Sequence, residues 1–351
     1  MSITESNPLP APMKSGYAEL TAEIRRLGLL RRRPGFYAGL ATSNLVALAI
    51  VVGAMVLLRE SWWLMMLAAA FAVVSAQIAF LGHDAGHRQV ARRKGPSRLL
   101  GLLHANLLNG LSYGWWVDKH NAHHAHPNDL DQDPDVHPGA LVFDAETASG
   151  RKGAAAFVTR HQAWLFFPML LFEAVNLHVS SIRALLHPGL RDRAAESVLL
   201  IAHFVAYGAL LFTTMGWLQG AVFLAIHQGL LGLYLGCSFA PNHKGMPVLS
   251  EQQSADPFLR QVLTSRNIRG GLFTDVALGS LNYQIEHHLF PSMPRPNLRH
   301  AQPVVQQYCE AHGVPYQESS AAASYRDVLR HLHDVGTGLR RSPANVDQRV
   351  C

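Results

Sequence analysis

The chain has 351 residues, of which 49% are hydrophobic and only 15% charged, and its formal net charge is +6. Charged residues make up roughly 25% of ordinary soluble domains, so this composition argues against a soluble protein and favours apolar blocks beside basic ones. The three cysteines, Cys237, Cys309 and Cys351, form no C-x-x-C pair, which argues against a disulfide framework or a thiolate metal site and makes a reducing compartment the default.

The first 36 residues lack the early apolar core of a signal peptide and carry the basic run Arg31, Arg32 and Arg33. Because this run abuts an apolar block, we interpret it as a membrane-flanking segment rather than as a solvated face. We therefore expect residues 1–36 to form a basic segment on the cytoplasmic side of a membrane.

Four apolar blocks follow, at about 37–58, 62–82, 197–216 and 217–240. Each is close to the ~20 residues that a helix needs to cross ~30 Å of hydrocarbon. Because very short turns join the members of each pair, the sequence predicts four transmembrane helices in two hairpins.

Lysine and arginine indicate how these helices are oriented. The turn after the first block holds only Arg59 beside Glu60, whereas many basic residues lie in the long segment 83–196. Basic residues favour the cytoplasmic side, so both termini and this segment should be cytoplasmic. We expect an all-α, multi-pass integral membrane protein with a helical cytoplasmic cap, comprising a domain at 37–315 and a polar C-terminal tail at 316–351.

The twenty histidines include three clusters and one further histidine near the predicted membrane boundary. The clusters are "HDAGH", "HNAHH" and "QIEHH", and the further residue lies in "NHKG". Histidines three or four residues apart share one helical face and can point at one ion. The candidate ligands are His83, His87, His120, His123, His124, His243, His287 and His288.

Eight imidazoles exceed what one metal ion needs and suit two ions. Imidazole binds zinc, copper, iron and nickel, so the ligand type alone does not identify the metal. The paired Glu-x-x-His of soluble di-iron proteins and the zincin H-E-x-x-H are both absent from the sequence. Four polar residues flank the ligands and are expected to orient the imidazoles: Asp84, Asp118, Asn121 and Glu286.

Together "HDAGH", "HNAHH" and "NYQIEHHLFP" resemble the membrane fatty acid desaturase family over about residues 36–315. The glutamine-led third motif is similar to the subgroup that includes front-end and bacterial acyl-chain desaturases. The resemblance implies two non-haem iron ions (Fe2+/Fe3+) on the eight histidines named above, O2 as oxidant, and removal of two hydrogens from an acyl chain. Many eukaryotic members carry a fused haem domain that this sequence does not contain, so we expect an external electron donor such as ferredoxin or a reductase.

The residues agree with iron, because removing hydrogen from a mid-chain methylene requires a metal oxidant that closed-shell zinc cannot supply. Gln284 is either a ninth, weak ligand or the neighbour of an open coordination position at which O2 would react, and we favour the second. The expected partners are an acyl-CoA or acyl-lipid substrate, the electron donor and the bilayer, with no nucleic acid.

Two other functions remain open at this point. A hydroxylase or ketolase of a hydrophobic substrate could use similar histidine motifs. A histidine-rich metal transporter would place ionisable groups along a path inside the spans; His203 and His227 are such groups, whereas the three clusters lie at one face.

Overall fold

The computed structural model describes residues 16–249 and 254–340 and is mainly helical. In chain order the helices are α1 (Gly16–Arg26), α2 (Pro34–Leu57), α3 (Leu64–Gly86), α4 (Lys94–Gly101), a π-helix (Leu102–Leu107), α5 (Tyr113–Ala125), α6 (Ala145–Ser149), α7 (Gly153–Leu170), α8 (Glu173–Ala184), α9 (Arg193–Thr214), α10 (Trp217–His243), α11 (Pro257–Leu263), α12 (Leu272–Ala277), α13 (Gln284–Leu289), α14 (Arg295–Ala311), α15 (Ala321–Val335) and α16 (Thr337–Arg340). Two short parallel strands, β1 (Asn267–Ile268) and β2 (Glu318–Ser319), pair with each other.

Four helices of the described residues, α2, α3, α9 and α10, are long and apolar enough to cross a membrane, as the sequence predicts. About half of the apolar stretch of α3 is buried but only 11% of that of α9, so α3 lies centrally and α9 at the periphery. Helices α7 and α8 would add a fifth span only if taken together, and they meet at an angle of 80°.

Two of these helices extend beyond the ends expected from hydropathy. Helix α3 continues past residue 82 to Gly86, and α10 continues past residue 240 to His243. The added turns are polar yet largely buried, because neighbouring helices and loops pack around them. As a result His83 and His243 lie on the rigid ends of membrane helices rather than in loops.

The central helices pack closely where small residues allow it. Helix α3 contacts both α2 and α10, and α8 packs across α10. A Cβ on Gly232 of α10 would lie 2.5 Å from the carbonyl oxygen of Leu170 and 2.8 Å from the amide nitrogen of Ala174. Glycine at this position therefore lets α10 approach the bend between α7 and α8.

The two histidines inside the spans have hydrogen-bond partners. His227 lies between Ser75, whose Oγ is 3.2 Å from Nε2, and Tyr207, whose hydroxyl is 2.7 Å from Nδ1. The Nδ1 of His203 lies 2.9 Å from the carbonyl oxygen of Leu107. Because polar groups in hydrocarbon need internal partners, these bonds account for both histidines as links between helices.

Part of the region beyond residue 315 packs onto the rest of the protein. Helix α15 packs against α7, burying Val328 and Leu332 against Phe166 and Leu170. The expected polar tail at 316–351 therefore contains a packed amphipathic helix, while residues 1–15 and 341–351, including Cys351, lie outside the described residues. Cys237 and Cys309 are free thiols.

Glu196, in the first turn of α9, fixes the start of α5. Its buried carboxylate accepts hydrogen bonds from Asn106 Nδ2 (3.0 Å), Ser112 Oγ (2.6 Å) and the backbone N–H of Gly114 (2.8 Å). Ser112 in turn caps α5, accepting from the N–H of Trp115. The carboxylate thus positions the helix that carries three of the candidate ligands.

We expect Glu196→Ala to lower the free energy of unfolding by about 3 kcal/mol or more, since each buried donor left unsatisfied costs about 1–3 kcal/mol. Thermal unfolding of the detergent-solubilised protein measures the effect. The exposed Glu146, whose side chain makes no such contacts, gives the matched control Glu146→Ala. Equal melting temperatures for the two variants would contradict the assignment.

Candidate metal centre

The eight candidate histidines meet in one largely buried cluster at the ends of α3 and α10. Helix α3 presents His83 in its last turn and is followed directly by His87, and α10 ends with His243. Helices α5 and α13 lie against these ends and supply the remaining five: His120, His123, His124, His287 and His288. Four separate elements therefore converge on one site.

The imidazoles form two groups. In the first, the ring nitrogens of four histidines lie within 4.8 Å of one another; in the second, those of three do. The four-histidine group comprises His83, His87, His120 and His287, and the three-histidine group comprises His123, His243 and His288.

His124 lies between the two groups. Its Nε2 is 3.2 Å from Nε2 of His120, which belongs to the four-histidine group. Its ring also stacks on that of His288 in the three-histidine group, with centroids 4.1 Å apart. His124 thus contacts both groups and joins them into one cluster of eight imidazoles.

The protonation and bonding of these rings fit metal ions. The Nε2 atoms of His83, His87 and His288 are buried without a hydrogen-bond partner among the described residues, as are both ring nitrogens of His287. Buried polar atoms are rarely left unpaired, and a bound cation would satisfy them.

Burial lowers the pKa well below the usual 6.5 for His87, His120, His124, His287 and His288. These five rings are therefore neutral, and the neutral imidazole is the form that binds metal.

Hydrogen bonds to Nδ1 orient the rings of the three-histidine group. His123 Nδ1 lies 3.0 Å from both carboxylate oxygens of Asp133, and His288 Nδ1 lies 2.9 Å from Gln261 Oε1. His243 Nδ1 lies 3.1 Å from the carbonyl oxygen of Thr264. In each case the bond engages Nδ1, so Nε2 is the nitrogen that would face an ion, the usual arrangement around a metal site.

Of the four residues expected to orient the imidazoles, only Asp84 does so. One of its oxygens lies 3.3 Å from His83 Nδ1, and the other lies 2.8 Å from Arg295 Nη2. Asp118 and Asn121 are exposed on the outer face of α5.

The fourth of these residues, Glu286, turns away from the histidines. Its carboxylate accepts hydrogen bonds from Asn267 Nδ2 (2.8 Å) and the Tyr316 hydroxyl (2.7 Å), and burial raises its pKa to about 7. Glu286 therefore links α13 to β1 and to the segment that contains Tyr316. Sequence reasoning did not identify Gln261, Thr264 or Arg295, because no spacing in the chain links them to the histidines.

Gln284 completes the surroundings of the three-histidine group. Its Nε2 lies 2.9 Å from Nε2 of His243, and its Oε1 accepts a hydrogen bond from Asn242 Nδ2 at 3.3 Å. The Gln284 amide therefore lies beside the three imidazoles of the second group. The first group has a fourth imidazole instead.

A cavity of about 290 Å³ opens against this side of the centre. His123, His243 and Gln284 line one part of it, and Leu177 and Leu235 line another. A mainly apolar cavity that meets a candidate metal centre suits a hydrophobic substrate.

We expect Asp133→Ala to weaken metal binding by about 10- to 100-fold, the usual cost of losing an outer partner of a ligating histidine. Asp133 is fully buried and also accepts from the N–H of Asn128 at 2.8 Å. Iron retained after dialysis against a chelator measures the effect. Asp131→Ala is the matched control, since this neighbouring side chain is exposed; equal retention in both variants would remove Asp133 from this role.

Comparison with known proteins identifies the family. A sequence model of the family described as fatty acid desaturase matches residues 60–320, well over half of the chain. The chain is 30% identical over 345 residues to the acyl-lipid (9-3)-desaturase of Physcomitrium patens, covering 95% of this chain and 65% of the relative. It is 29% identical over 318 residues to Delta(8)-fatty-acid desaturase 2 of Arabidopsis thaliana (87% and 71%) and 27% identical over 340 residues to fatty acid desaturase 3 of Bos taurus (95% and 75%). The chain thus spans about two thirds to three quarters of these relatives, and it belongs to the fatty acid desaturase family.

Proposed function

We propose that the protein is a fatty acid desaturase that introduces a carbon–carbon double bond into a fatty acyl chain at a centre of two irons. The observation that carries this proposal is the gathering of seven imidazoles into two groups, with His124 in contact with both, beside a mainly apolar cavity. The three relatives named above are all desaturases and give no support to a hydroxylase or a metal transporter.

The eight histidines would hold the two ions, and Gln284 would lie beside the ion of the three-histidine group. When bound, the irons supply the oxidising power needed to remove hydrogen from an unactivated methylene. Overall, two hydrogens leave the acyl chain, two electrons and two protons enter from outside, and O2 is converted to two molecules of water. An external redox carrier delivers the electrons.

The protein's own residues position the chain and protect the chemistry. The apolar cavity wall holds the methylenes beside His120, His123 and His243 and excludes water from them. Asp133, Gln261 and the carbonyl of Thr264 hold the second group of imidazoles in fixed orientations. Distance along the cavity therefore determines which pair of methylenes reacts.

The orientation in the membrane follows from charge. Four membrane helices form two hairpins, α2 with α3 and α9 with α10. The side that carries the histidines also carries the basic residues of segment 83–196, so the site, the cap and both termini are cytoplasmic. This side gives the centre access to a soluble or membrane-bound electron donor.

Expression in a host that lacks the double bond tests the proposal. With iron and a reducing partner supplied, mass spectrometry of the host's acyl chains should reveal a new alkene whose formation requires O2. An alcohol or ketone in its place, or no new unsaturation, would refute it.

A further inference from the structure

Lys244 follows the last residue of α10 and lines the cavity beside His243. Its ammonium donates a hydrogen bond to the carbonyl oxygen of Asp135 at 2.8 Å and lies 4.1 Å from the centre of the Phe143 ring. Within residues 16–249 and 254–340 it forms no ion pair. An ammonium group has three donors, so Lys244 retains capacity for a further acceptor in the cavity.

The other lysine in the cavity wall is already paired. Lys119 forms a salt bridge with the carboxylate of Asp135. That carboxylate also lies 3.6 Å from His123 Nδ1. Lys244 is therefore the cavity lysine that has no carboxylate oxygen within salt-bridge distance in the described part of the chain, although Asp135 and Asp133 attract its charge from further away.

The cavity becomes more polar along α10. Its lining residues on this helix fall four apart on one face, from Leu235 through Phe239 to His243, and Lys244 follows. At 1.5 Å per residue, Lys244 lies about 13 Å along the helix axis from Leu235. The metal ligand His243 therefore stands at the charged end, and the hydrocarbon wall extends away from it towards the membrane.

An acyl substrate has the same asymmetry. Its carboxyl end carries a carbonyl oxygen whether it is a thioester, an ester or a free acid, and the rest is hydrocarbon. A buried carbonyl requires a donor, and a charged donor forms the stronger hydrogen bond. The apolar end of the cavity at Leu235 suits the methyl end of the chain.

We propose that Lys244 binds the carbonyl oxygen at the carboxyl end of the acyl chain and thereby fixes the position of the new double bond relative to that end. This inference rests on the function proposed above. The chain lies with its methyl end towards Leu235, and the carbons that react are those that His243 and the neighbouring ligands meet when the carbonyl is held at Lys244.

A series of acyl chains of different lengths tests the inference in the unmodified protein. If Lys244 sets the position, the new double bond stays at a constant number of carbons from the carboxyl end. A bond at a constant distance from the methyl end would overturn the inference while leaving the desaturase function intact. Absence of any alkene with every chain would instead overturn the desaturase function itself.

Variants at the lysines identify the residue responsible. We expect Lys244→Met to lower kcat/KM about tenfold, mainly through KM, and to spread the double bond over neighbouring positions. Lys244→Arg should keep the single position, and Lys152→Met, at an exposed site outside the cavity, should match the unmodified protein. Equal membrane abundance and iron content of the variants verify folding. An unchanged position and KM in Lys244→Met, or a shift seen only in Lys119→Met, would refute the role of Lys244.

Discussion

Replacing His124 by alanine is expected to abolish double-bond formation while the protein still inserts into the membrane. His124 touches both groups of imidazoles, with its Nε2 3.2 Å from that of His120 and its ring 4.1 Å from that of His288. Its removal therefore disturbs both groups of imidazoles at once. The loss should exceed the ~100-fold that follows from losing only an outer partner of a ligand.

The measurement combines acyl-chain analysis with the iron content of the purified protein, which should fall below two ions per chain. His126→Ala is the matched control: it lies at the end of the same helix, and its side chain takes no part in either group. Near-normal turnover with full iron content in the His124 variant would remove His124 from the ligand set.

The membrane helices could be predicted from the sequence because hydropathy over about 20 residues is a local property. Their ends could not. The turns that carry His83 and His243 are polar, and they remain helical because neighbouring parts of the protein bury them. The packing of residues 321–335 could not be predicted either, because the apolar face of α15 is recognisable as a core face only once α7 lies against it.

The histidines themselves could be found from their spacing, but their division into two spatial groups could not. His120 belongs to one group and His123 to the other, although both lie on α5. Helical spacing shows that these rings share a side of the helix. The rotation of α5 between its neighbours decides which group of histidines each ring joins. That rotation depends on tertiary contacts such as those of Glu196.

Adjacent position in the chain proved a poor guide to the orienting residues. Neighbours one or two residues apart on a helix face different directions, which is why Asp118 and Asn121 are exposed and Glu286 points into the cap. The partners of His288 and His243 come instead from α11 and the residue after it.

Gln284→His is expected to lower double-bond formation by about 100-fold while the iron content is retained. In the structure the Gln284 amide lies 2.9 Å from His243 Nε2 and lines the cavity. An imidazole is a stronger donor to iron than an amide, so a histidine here would give the second group a fourth nitrogen ligand and close the side that faces the acyl chain.

Acyl-chain analysis together with metal content separates this effect from simple loss of iron. Gln306→His, on helix α14 and outside both histidine groups and the cavity lining, is the control for the substitution itself. Unchanged turnover in Gln284→His would show that the amide does not border an open position. Loss of iron along with activity would indicate instead that the amide is needed to hold the second ion. The result therefore decides between the two roles that the glutamine-led motif leaves open.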